Sequence, residues 1–205
     1  MARRGAELRE HILWTAKDLF LEMGFDRASM DVVAARAETS KRSLYAHFES
    51  KEKLFLAVVD LARELYLGRL KTPDAYNEDT TEAVILYCGR FLQLILREPA
   101  LRTCRLGIAE AERLPDASAQ YHDAIFETSR TRLTAFLTQH HNLTPTTADD
   151  IATQLLARTL YPRLHRALLG VEPPLPIEVD ETTLTTDVDF TPIRNAVTEL
   201  LPATA

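Results

Sequence analysis

The sequence predicts an all-α protein, and two observations carry this prediction. Apolar residues recur at spacings of three and four along almost the whole chain, which is the period of an amphipathic helix. We find no alternation of polar and apolar residues that would indicate a β-strand, and no internal repeat. With 205 residues, 46% of them hydrophobic, the chain is long enough for one core or two small ones.

The first sixty residues predict three helices and the start of a fourth. One apolar face of the first helix comprises Leu8, Ile12, Ala16, Leu19 and Met23. Gly24 follows as its predicted stop. Ser29 and Ser40 are the predicted N-caps of two short helices, and Ser50 is that of a longer one. The apolar face of this fourth helix comprises Leu54, Val58, Leu61 and Leu65.

The rest of the chain continues in the same style. The predicted helices cover about 84–95, 101–114, 121–140, 145–170 and 190–201. Pro162 is expected to kink the fourth of these helices, because proline removes a backbone donor. Residues 171–189 are rich in proline, threonine and acids and are expected to form a long loop.

The net charge gives a misleading first indication. Twenty-four basic residues against 30 acidic ones leave −6, which by itself disfavours a nucleic-acid partner. The segment 171–190 holds six acids and no base, and therefore accounts for that total. The segment 36–53 instead has a surplus of two positive charges, and Arg3 and Arg4 lead the chain. The local charge therefore leaves DNA as a possible partner.

Several classes of protein are disfavoured. The N-terminus lacks the apolar stretch of a signal peptide, and no apolar run reaches the roughly 18 residues needed to cross a bilayer. Two cysteines are too few for a disulfide framework, so we expect a cytoplasmic protein. Because no apolar run is long enough to cross a bilayer, we expect no membrane partner. The six scattered glycines build no phosphate loop, and no serine elbow or metal-ligand cluster is present. We expect no catalytic residues, cofactor or metal.

The two short helices have the layout of a helix-turn-helix. The second helix of such a motif enters the DNA major groove, so its outer face needs hydrogen-bond donors. Leu44 and Phe48 are four residues apart and can face the core. This leaves donors on the outside of the helix, namely Lys41, Arg42, Ser43 and His47, with Tyr45 at the edge. Lys51 opens the next helix, where an ammonium and backbone N–H groups can hold a phosphate.

The same positions carry a family resemblance. They comprise Ile12–Phe25, Val33-Ala34, Ala37, Ser40-Lys41, Leu44-Tyr45, His47-Phe48, Ser50-Lys51-Glu52 and Leu54-Phe55. In order and spacing they resemble the DNA-binding domain of the tetracycline-repressor (TetR) family over residues 8–58. The segment 105–115 resembles one large subgroup of TetR C-terminal domains.

This resemblance implies a helix-turn-helix DNA-binding domain over residues 1–55 and a helical effector-binding and dimerisation domain over 56–205. It implies a homodimer that binds a palindromic operator, most often a repressor, and that responds to a small-molecule effector. The residues it places on DNA are Ser29, Ser40, Lys41, Arg42, Ser43, Tyr45, His47 and Lys51. The helices over 148–170 and 190–201 would pair with their copies, although burial within one subunit explains their apolar faces equally well. An activator, an effector-independent regulator and a protein–protein adaptor remain alternatives.

The chain departs from the family pattern in the turn between the two short helices. Glu38 replaces a frequent glycine and Thr39 a frequent valine. Because glutamate disfavours a left-handed backbone, we expect the turn to be more helical than usual. Arg42 replaces another frequent glycine, and its long side chain predicts contact with guanine O6 and N7.

Other candidate sites have simpler interpretations. Cys88 and Cys104 are expected to be buried small hydrophobes, and His140-His141 a solvated helix end rather than a metal site. Aromatic residues that could line a cavity or be plain core are Tyr66, Tyr87, Phe91, Tyr121 and Phe126. Basic residues that could bind an anion but are favoured to pair with surface acids are Arg158, Arg163, His165 and Arg166.

Overall fold

The computed structural model describes residues 5–176 and 184–201 of the chain. Over these residues the regular structure is helical, and β-pairing is limited to an isolated bridge between Arg97 and Leu175. The all-α prediction is therefore confirmed. Arg3 and Arg4 and part of the acidic segment 171–190 lie outside the described residues.

The N-terminal helices are α1 (Ala6–Arg27), α2 (Met30–Arg36), α3 (Lys41–His47) and α4 (Lys51–Leu67). Gly24 interrupts α1 with a positive φ of 78°, as its predicted role as a helix stop requires, although helical turns resume to Arg27. All three predicted serine caps are present. The hydroxyl oxygens of Ser29, Ser40 and Ser50 accept from the N–H groups three residues later at 3.0–3.2 Å. Each such cap contributes about 1 kcal/mol.

The later helices are α5 (Thr80–Ile95), α6 (Glu98–Ala109), α7 (Pro115–His122), α8 (Thr128–His140), α9 (Pro145–Leu160), α10 (Arg163–Leu168), α11 (Leu184–Asp187) and α12 (Thr191–Leu200). Asp123–Glu127 is a π-helical turn that joins α7 to α8. The prediction of one helix over 101–114 was wrong at both ends, since α6 begins at Glu98 and ends at Ala109. Pro99 and Pro115 each lie at the start of a helix, where a missing N–H costs nothing.

The chain forms two compact units. One comprises Met1–Glu64 with Arg102–Tyr121, and the other comprises Leu65–Leu101 with His122–Ala205. In the first unit α2 packs against α1 and α3. Its core includes an aromatic cluster of Phe20, Phe25 and Phe55, with ring centroids 5.1–5.7 Å apart. This cluster fixes the end of α1 against the start of α4.

The second unit is built around α5, which is buried from Ala83 to Ile95 except at the half-buried Leu86. Helices α8 and α9 pack against each other, and α12 packs against both α9 and α5. The apolar residues of α9 and α12 that face inward are Ile151, Ala152, Leu155, Leu156, Ile193, Ala196 and Val197. These apolar faces are therefore covered within one subunit, and they are not evidence for an interface between copies.

Three further predictions were wrong. His141 is only 8% exposed, so the end of α8 is not fully solvated, although His140 next to it is exposed. Leu65, predicted on the apolar face of α4, is 38% exposed. Residues 145–170 do not form one kinked helix, because α9 ends at Leu160 and α10 starts at Arg163.

Candidate nucleic-acid interface

Helix α3 buries one side and exposes the other. Leu44 is 0% exposed and Phe48 only 4%, so these two side chains hold the helix in the core of the first unit. The opposite side carries Lys41, Arg42 and Tyr45, which are exposed, Tyr45 to 48%. The predicted residues Ser43 and His47 are half-buried, at the edges of this polar face.

The predicted serines lie at the starts of their helices. Ser29 and Ser40 are exposed. Besides accepting the N–H of Ser43 at 3.0 Å, the Ser40 hydroxyl donates to the Ser43 hydroxyl oxygen at 2.9 Å. These bonds fix the first turn of α3. Contact of Ser29, Ser40 or Ser43 with DNA stays a prediction.

The turn before α3 contradicts the sequence expectation. Glu38 adopts a left-handed backbone with φ of 50°, rather than continuing in a more helical conformation. Its N–H donates to Ala35 O at 3.2 Å, and the N–H of Thr39 donates to Ala34 O at 3.0 Å. These two bonds form a Schellman cap that satisfies the last carbonyls of α2. The cap outweighs the strain that a residue with a Cβ has in this conformation.

Lys41, Arg42 and Tyr45 differ in what their side chains contact. The Lys41 ammonium lies 2.6 Å from the Asp31 carboxylate of α2. No hydrogen bond or ion pair between described residues engages the side chain of Arg42 or Tyr45. These two side chains are therefore available to base edges and to the phosphate backbone.

Lys51 occupies a structural position at the start of α4. Its ammonium donates to Asp26 O at 3.2 Å and lies 4.1 Å from the centroid of the Phe25 ring. The Arg113 guanidinium, 4.7 Å from the same centroid, also pairs with the Asp26 carboxylate. The hydrogen bond from Arg113 holds the pKa of Asp26 below its usual value. Two cations thus bind the C-terminal end of α1, and a phosphate contact by Lys51 stays a prediction.

Sequence reasoning missed three residues beside this surface. Asp31 is the partner of Lys41, Arg113 comes from the segment after α6, and the Arg9 guanidinium lies 5.0 Å from the centroid of the Phe48 ring. Asp31 had a local signal, since it lies in the first turn of α2, where acids are favoured. Arg113 and Arg9 gave no signal, because their contacts depend on how the helices pack.

The second unit brings four of the predicted aromatic residues together. Tyr66, Tyr87 and Phe91 are buried, and Phe91 contacts Tyr66 and Phe126 with ring centroids 6.3 and 6.2 Å away. The Tyr66 hydroxyl is 3.4 Å from the Ser129 hydroxyl, and the Tyr87 hydroxyl donates to Ser129 O at 2.9 Å. Burial raises the pKa of both tyrosines, so they remain neutral donors.

Tyr121, the fifth predicted aromatic, instead donates to Cys104 Sγ at 3.5 Å. Both cysteines are buried, as expected, and burial raises the pKa of Cys88 to about 12, which disfavours the reactive thiolate. Over the described residues no group of metal-binding side chains is present. The described helices include none long and apolar enough to cross a membrane.

The candidate anion-binding arginines of α9 and α10 pair with acids, as the sequence favoured. Arg158 lies 2.7 Å from Glu199, and Arg163 lies 2.8 Å from Glu172. Arg166 shares the same glutamate at 3.7 Å. These three arginines are therefore part of surface ion pairs.

The chain is similar to known regulators over most of its length. Residues 12–58 match the family of bacterial regulatory proteins called tetR, and residues 82–190 match the C-terminal domain of AefR-like transcriptional repressors. The HTH-type transcriptional regulator QacR of Staphylococcus aureus is 30% identical over 80 residues, 39% of this chain and 43% of that protein. The chain thus matches less than half the length of this curated relative.

Two solved structures have the same fold over nearly the whole chain. A TetR-family transcriptional regulator from Mesorhizobium loti superposes with a TM-score of 0.74 at 20% identity, covering 97% of each chain. The flavonoid-responsive regulator FrrA gives a TM-score of 0.73 at 22% identity, covering 98% of this chain and 100% of that one. At 20% and 22% identity, this similarity establishes a shared fold alone.

Proposed function

Because the chain belongs to the tetR family of bacterial regulatory proteins, we propose that it is a homodimeric cytoplasmic repressor released from its operator by a small molecule. Family membership makes it a DNA-binding transcriptional regulator and not an enzyme. Repression, the dimer and effector release are the parts that need testing. The match of residues 82–190 to AefR-like repressors favours repression over the alternative of activation.

The exposed face of α3 is the observation that carries DNA binding by this chain. Leu44 and Phe48 anchor the helix, so Lys41, Arg42 and Tyr45 are left on its exposed face. A helix with such a face can enter a major groove, where Arg reads guanine and Lys and Tyr contact phosphates. An adaptor that had lost DNA binding would have no need of this set.

A palindromic operator requires two such helices, in successive major grooves about 34 Å apart. Because the inward faces of α9 and α12 are covered within the subunit, the dimer would use their outer faces. Exposed residues of these faces are Thr153, Ala157, Asn195 and Thr198. Small side chains allow two helices to approach closely. We expect Ala157→Arg to yield a folded monomer with weakened operator binding, as measured by light scattering and DNA titration.

The effector would act through differential affinity for two states of the dimer. A ligand that binds better to the state unable to span both half-sites shifts the population away from DNA. FrrA is described as flavonoid-responsive, which supports effector control in a protein of this fold. The buried aromatic and hydroxyl groups around Ser129 combine apolar surface with hydrogen-bonding groups, as small-molecule sites do.

The decisive experiment selects DNA from a random pool with the purified full chain and then measures binding of the enriched sequence. We expect a palindrome, bound by two copies. Tyr45→Ala and Arg42→Ala together should reduce its affinity at least tenfold with an unchanged unfolding temperature, because neither side chain supports the core. A matched control is Arg63→Ala, an exposed arginine about 18 Å further along α4 than Lys51. Equal binding by the wild-type chain, the double variant and Arg63→Ala would contradict the proposed interface.

A further inference from the structure

Arg113 brings a second cation to the start of α4 from a distant part of the chain. It lies in the turn between α6 and α7, and this turn belongs to the same compact unit as Lys51. The start of α7 is fixed on α4, because Gln120 Nε2 donates to Asp60 Oδ1 at 2.6 Å. Arg113 therefore reaches the surroundings of Lys51 through packing within the first unit.

The Arg113 guanidinium is oriented by a buried acid. Its Nε and Nη2 donate to Glu110 Oε2 at 2.9 and 2.6 Å, and Glu110 is only 8% exposed. The Nη1 of Arg113 donates to the Asp26 carboxylate, and the guanidinium carbon lies 4.7 Å from the centroid of the Phe25 ring. Because a guanidinium is a planar fork, binding one edge to Glu110 sets the direction of the other donors. Arg113 is thus held against Asp26.

Asp26 is an acid that Lys51 could otherwise bind. Its side chain is 75% exposed, and the Lys51 ammonium already donates to the backbone oxygen of Asp26 at 3.2 Å. The hydrogen bond from Arg113 is the main cause of the lowered pKa of Asp26, and the charges of Arg113 and Lys51 contribute as well. Of these two cations, Arg113 is the one that forms an ion pair with the Asp26 carboxylate. A hydrogen bond from Ser50 lowers the pKa of Glu52, so this neighbouring acid has a partner of its own.

Lys51 has donors left for a phosphate. An ammonium has three donors, and that of Lys51 uses one on the Asp26 backbone oxygen while it lies 4.1 Å from the centroid of the Phe25 ring. None of the ion pairs between described residues includes Lys51. Without Arg113, the unpaired Asp26 carboxylate would attract this ammonium, since a charged acceptor binds an ammonium more strongly than a carbonyl does. A phosphate would then have to displace Asp26 from Lys51.

We propose that Arg113 is a positioning residue for DNA binding, which occupies the Asp26 carboxylate and thereby keeps the Lys51 ammonium available to a DNA phosphate. The inference rests on the proposed function, in which Lys51 contacts phosphate. Arg113 acts through Lys51 and needs no contact with DNA of its own. The part of the chain required for DNA binding therefore extends beyond residues 1–55 and includes the segment Arg102–Tyr121 of the same compact unit.

The test compares the full chain with its Arg113→Gln variant on the DNA sequence selected from the random pool, at several salt concentrations. We expect Arg113→Gln to bind about three- to tenfold more weakly, with a dependence of log affinity on log salt that is shallower by about 0.9 for each bound copy, because one phosphate contact is lost. Arg113→Lys, which retains a charge opposite Asp26, should recover most of the affinity. In a Lys51→Ala background, Arg113→Gln should weaken binding no further.

Two double variants separate this role from a structural ion pair and from net charge. Arg113→Gln with Asp26→Asn should restore the wild-type affinity, because Lys51 then has no carboxylate to bind. Arg113→Gln with Glu110→Gln has the same net charge but leaves Asp26 unpaired, so its binding should stay weak. Asp26→Asn alone should bind at least as tightly as the wild-type chain. Loss of affinity in Asp26→Asn, equal rescue by both double variants, or unchanged binding by Arg113→Gln would overturn the proposal.

A crystal structure of Arg113→Gln without DNA gives an independent readout. The Lys51 Nζ should lie within about 4 Å of the Asp26 carboxylate, and an ammonium that stays on the Asp26 backbone oxygen would overturn the proposal. If Arg113→Gln does not fold, Asp26→Asn decides the question, because breaking a structural ion pair would lower its affinity and removing a competing acid would not. A wild-type chain that binds no DNA would contradict the proposed function, while the crystal structure still decides the role of Arg113.

Discussion

The Lys41 ammonium lies 2.6 Å from the Asp31 carboxylate, so the first residue of α3 is ion-paired with α2 in the absence of DNA. Both side chains are more than half exposed, and such pairs contribute at most about 1 kcal/mol to stability. A DNA phosphate competes with Asp31 for the same ammonium. Asp31 therefore lowers the net positive charge beside the candidate interface.

Asp31→Asn is expected to strengthen DNA binding about two- to fivefold, because Lys41 no longer has to leave a carboxylate. The gain should be similar for operator and random DNA, since phosphates carry no sequence information. Fluorescence titration at several salt concentrations measures it. The matched control is Asp18→Asn, which removes the exposed acid of another Lys–Asp pair, Lys17–Asp18 at 3.0 Å. An equal gain in both variants would show that only net charge matters.

Arg42→Ala is expected to change which DNA sequence is preferred. The side chain is exposed at the start of α3 and can reach guanine O6 and N7, a contact that contributes about 1–3 kcal/mol of discrimination. The sequence selected from random DNA should therefore no longer specify one of the base pairs in each half-site. Arg36→Ala, which removes an exposed arginine paired with Glu22 at 3.3 Å, should leave the selected sequence unchanged. An unaltered sequence preference in Arg42→Ala would refute its role in base reading.

Local features of this fold could be predicted from the sequence, and pairings between distant residues could not. The caps of Ser29 and Ser40 and the burial of Leu44 follow from residues within one turn of each other. In contrast, Arg113 and Asp26 are 87 positions apart in the sequence. Such a pair forms only because the aromatic cluster and α6 bring the two segments together, and no local pattern encodes that packing.

The same distinction holds for the candidate site. The polar face of α3 follows from helical spacing, but the position of Lys51 over Phe25 depends on the interruption of α1 at Gly24. The conformation of Glu38 was predicted wrongly for another reason. Its own propensity disfavours a left-handed backbone, yet the hydrogen bonds from Glu38 and Thr39 to the end of α2 outweigh it.

Glu38→Gly is expected to stabilise the protein by about 0.5–1 kcal/mol. Glycine adopts a φ of 50° without strain, and this gain exceeds its greater loss of chain entropy on folding. Chemical denaturation monitored by circular dichroism gives the free energy of unfolding. The control is Asn142→Gly, at a φ of 51°, where the change should be smaller because asparagine tolerates this conformation. A destabilised Glu38→Gly protein would mean that the glutamate side chain has a favourable contact.

Gly89→Ala is expected to destabilise the protein by about 1–3 kcal/mol, despite the higher helix propensity of alanine. A Cβ at Gly89 would lie 2.3 Å from Phe190 Cε1, so the ring before α12 would have to move. Gly107→Ala is the matched control in α6, because there the nearest atom, Tyr121 Cδ1, is 3.8 Å away. It should be neutral or stabilising. Phe190→Leu should rescue Gly89→Ala, and failure to do so would exclude the steric explanation.

The burial of His141 predicts how the free energy of unfolding depends on pH. It is 8% exposed, and neither ring nitrogen has a hydrogen-bond partner among the described residues. Burial lowers the pKa of His141 below its usual value of 6.5, outweighing the opposite effects of the Thr80 backbone and the Asp79 carboxylate. The unfolded chain therefore binds a proton more readily than the folded one. The free energy of unfolding should fall as the pH decreases from about 6.5 towards the lowered pKa.

His141→Leu removes this titration and is expected to flatten the pH dependence between pH 7.5 and 5.5, whatever its effect on stability at neutral pH. Urea unfolding at a series of pH values measures the slope. His140→Gln is the control, because the neighbouring histidine is exposed. If His140→Gln flattens the profile and His141→Leu does not, the assignment of the titration to the buried ring is wrong. The comparison thus separates burial of an imidazole from the general effect of acid on a chain with a net charge of −6.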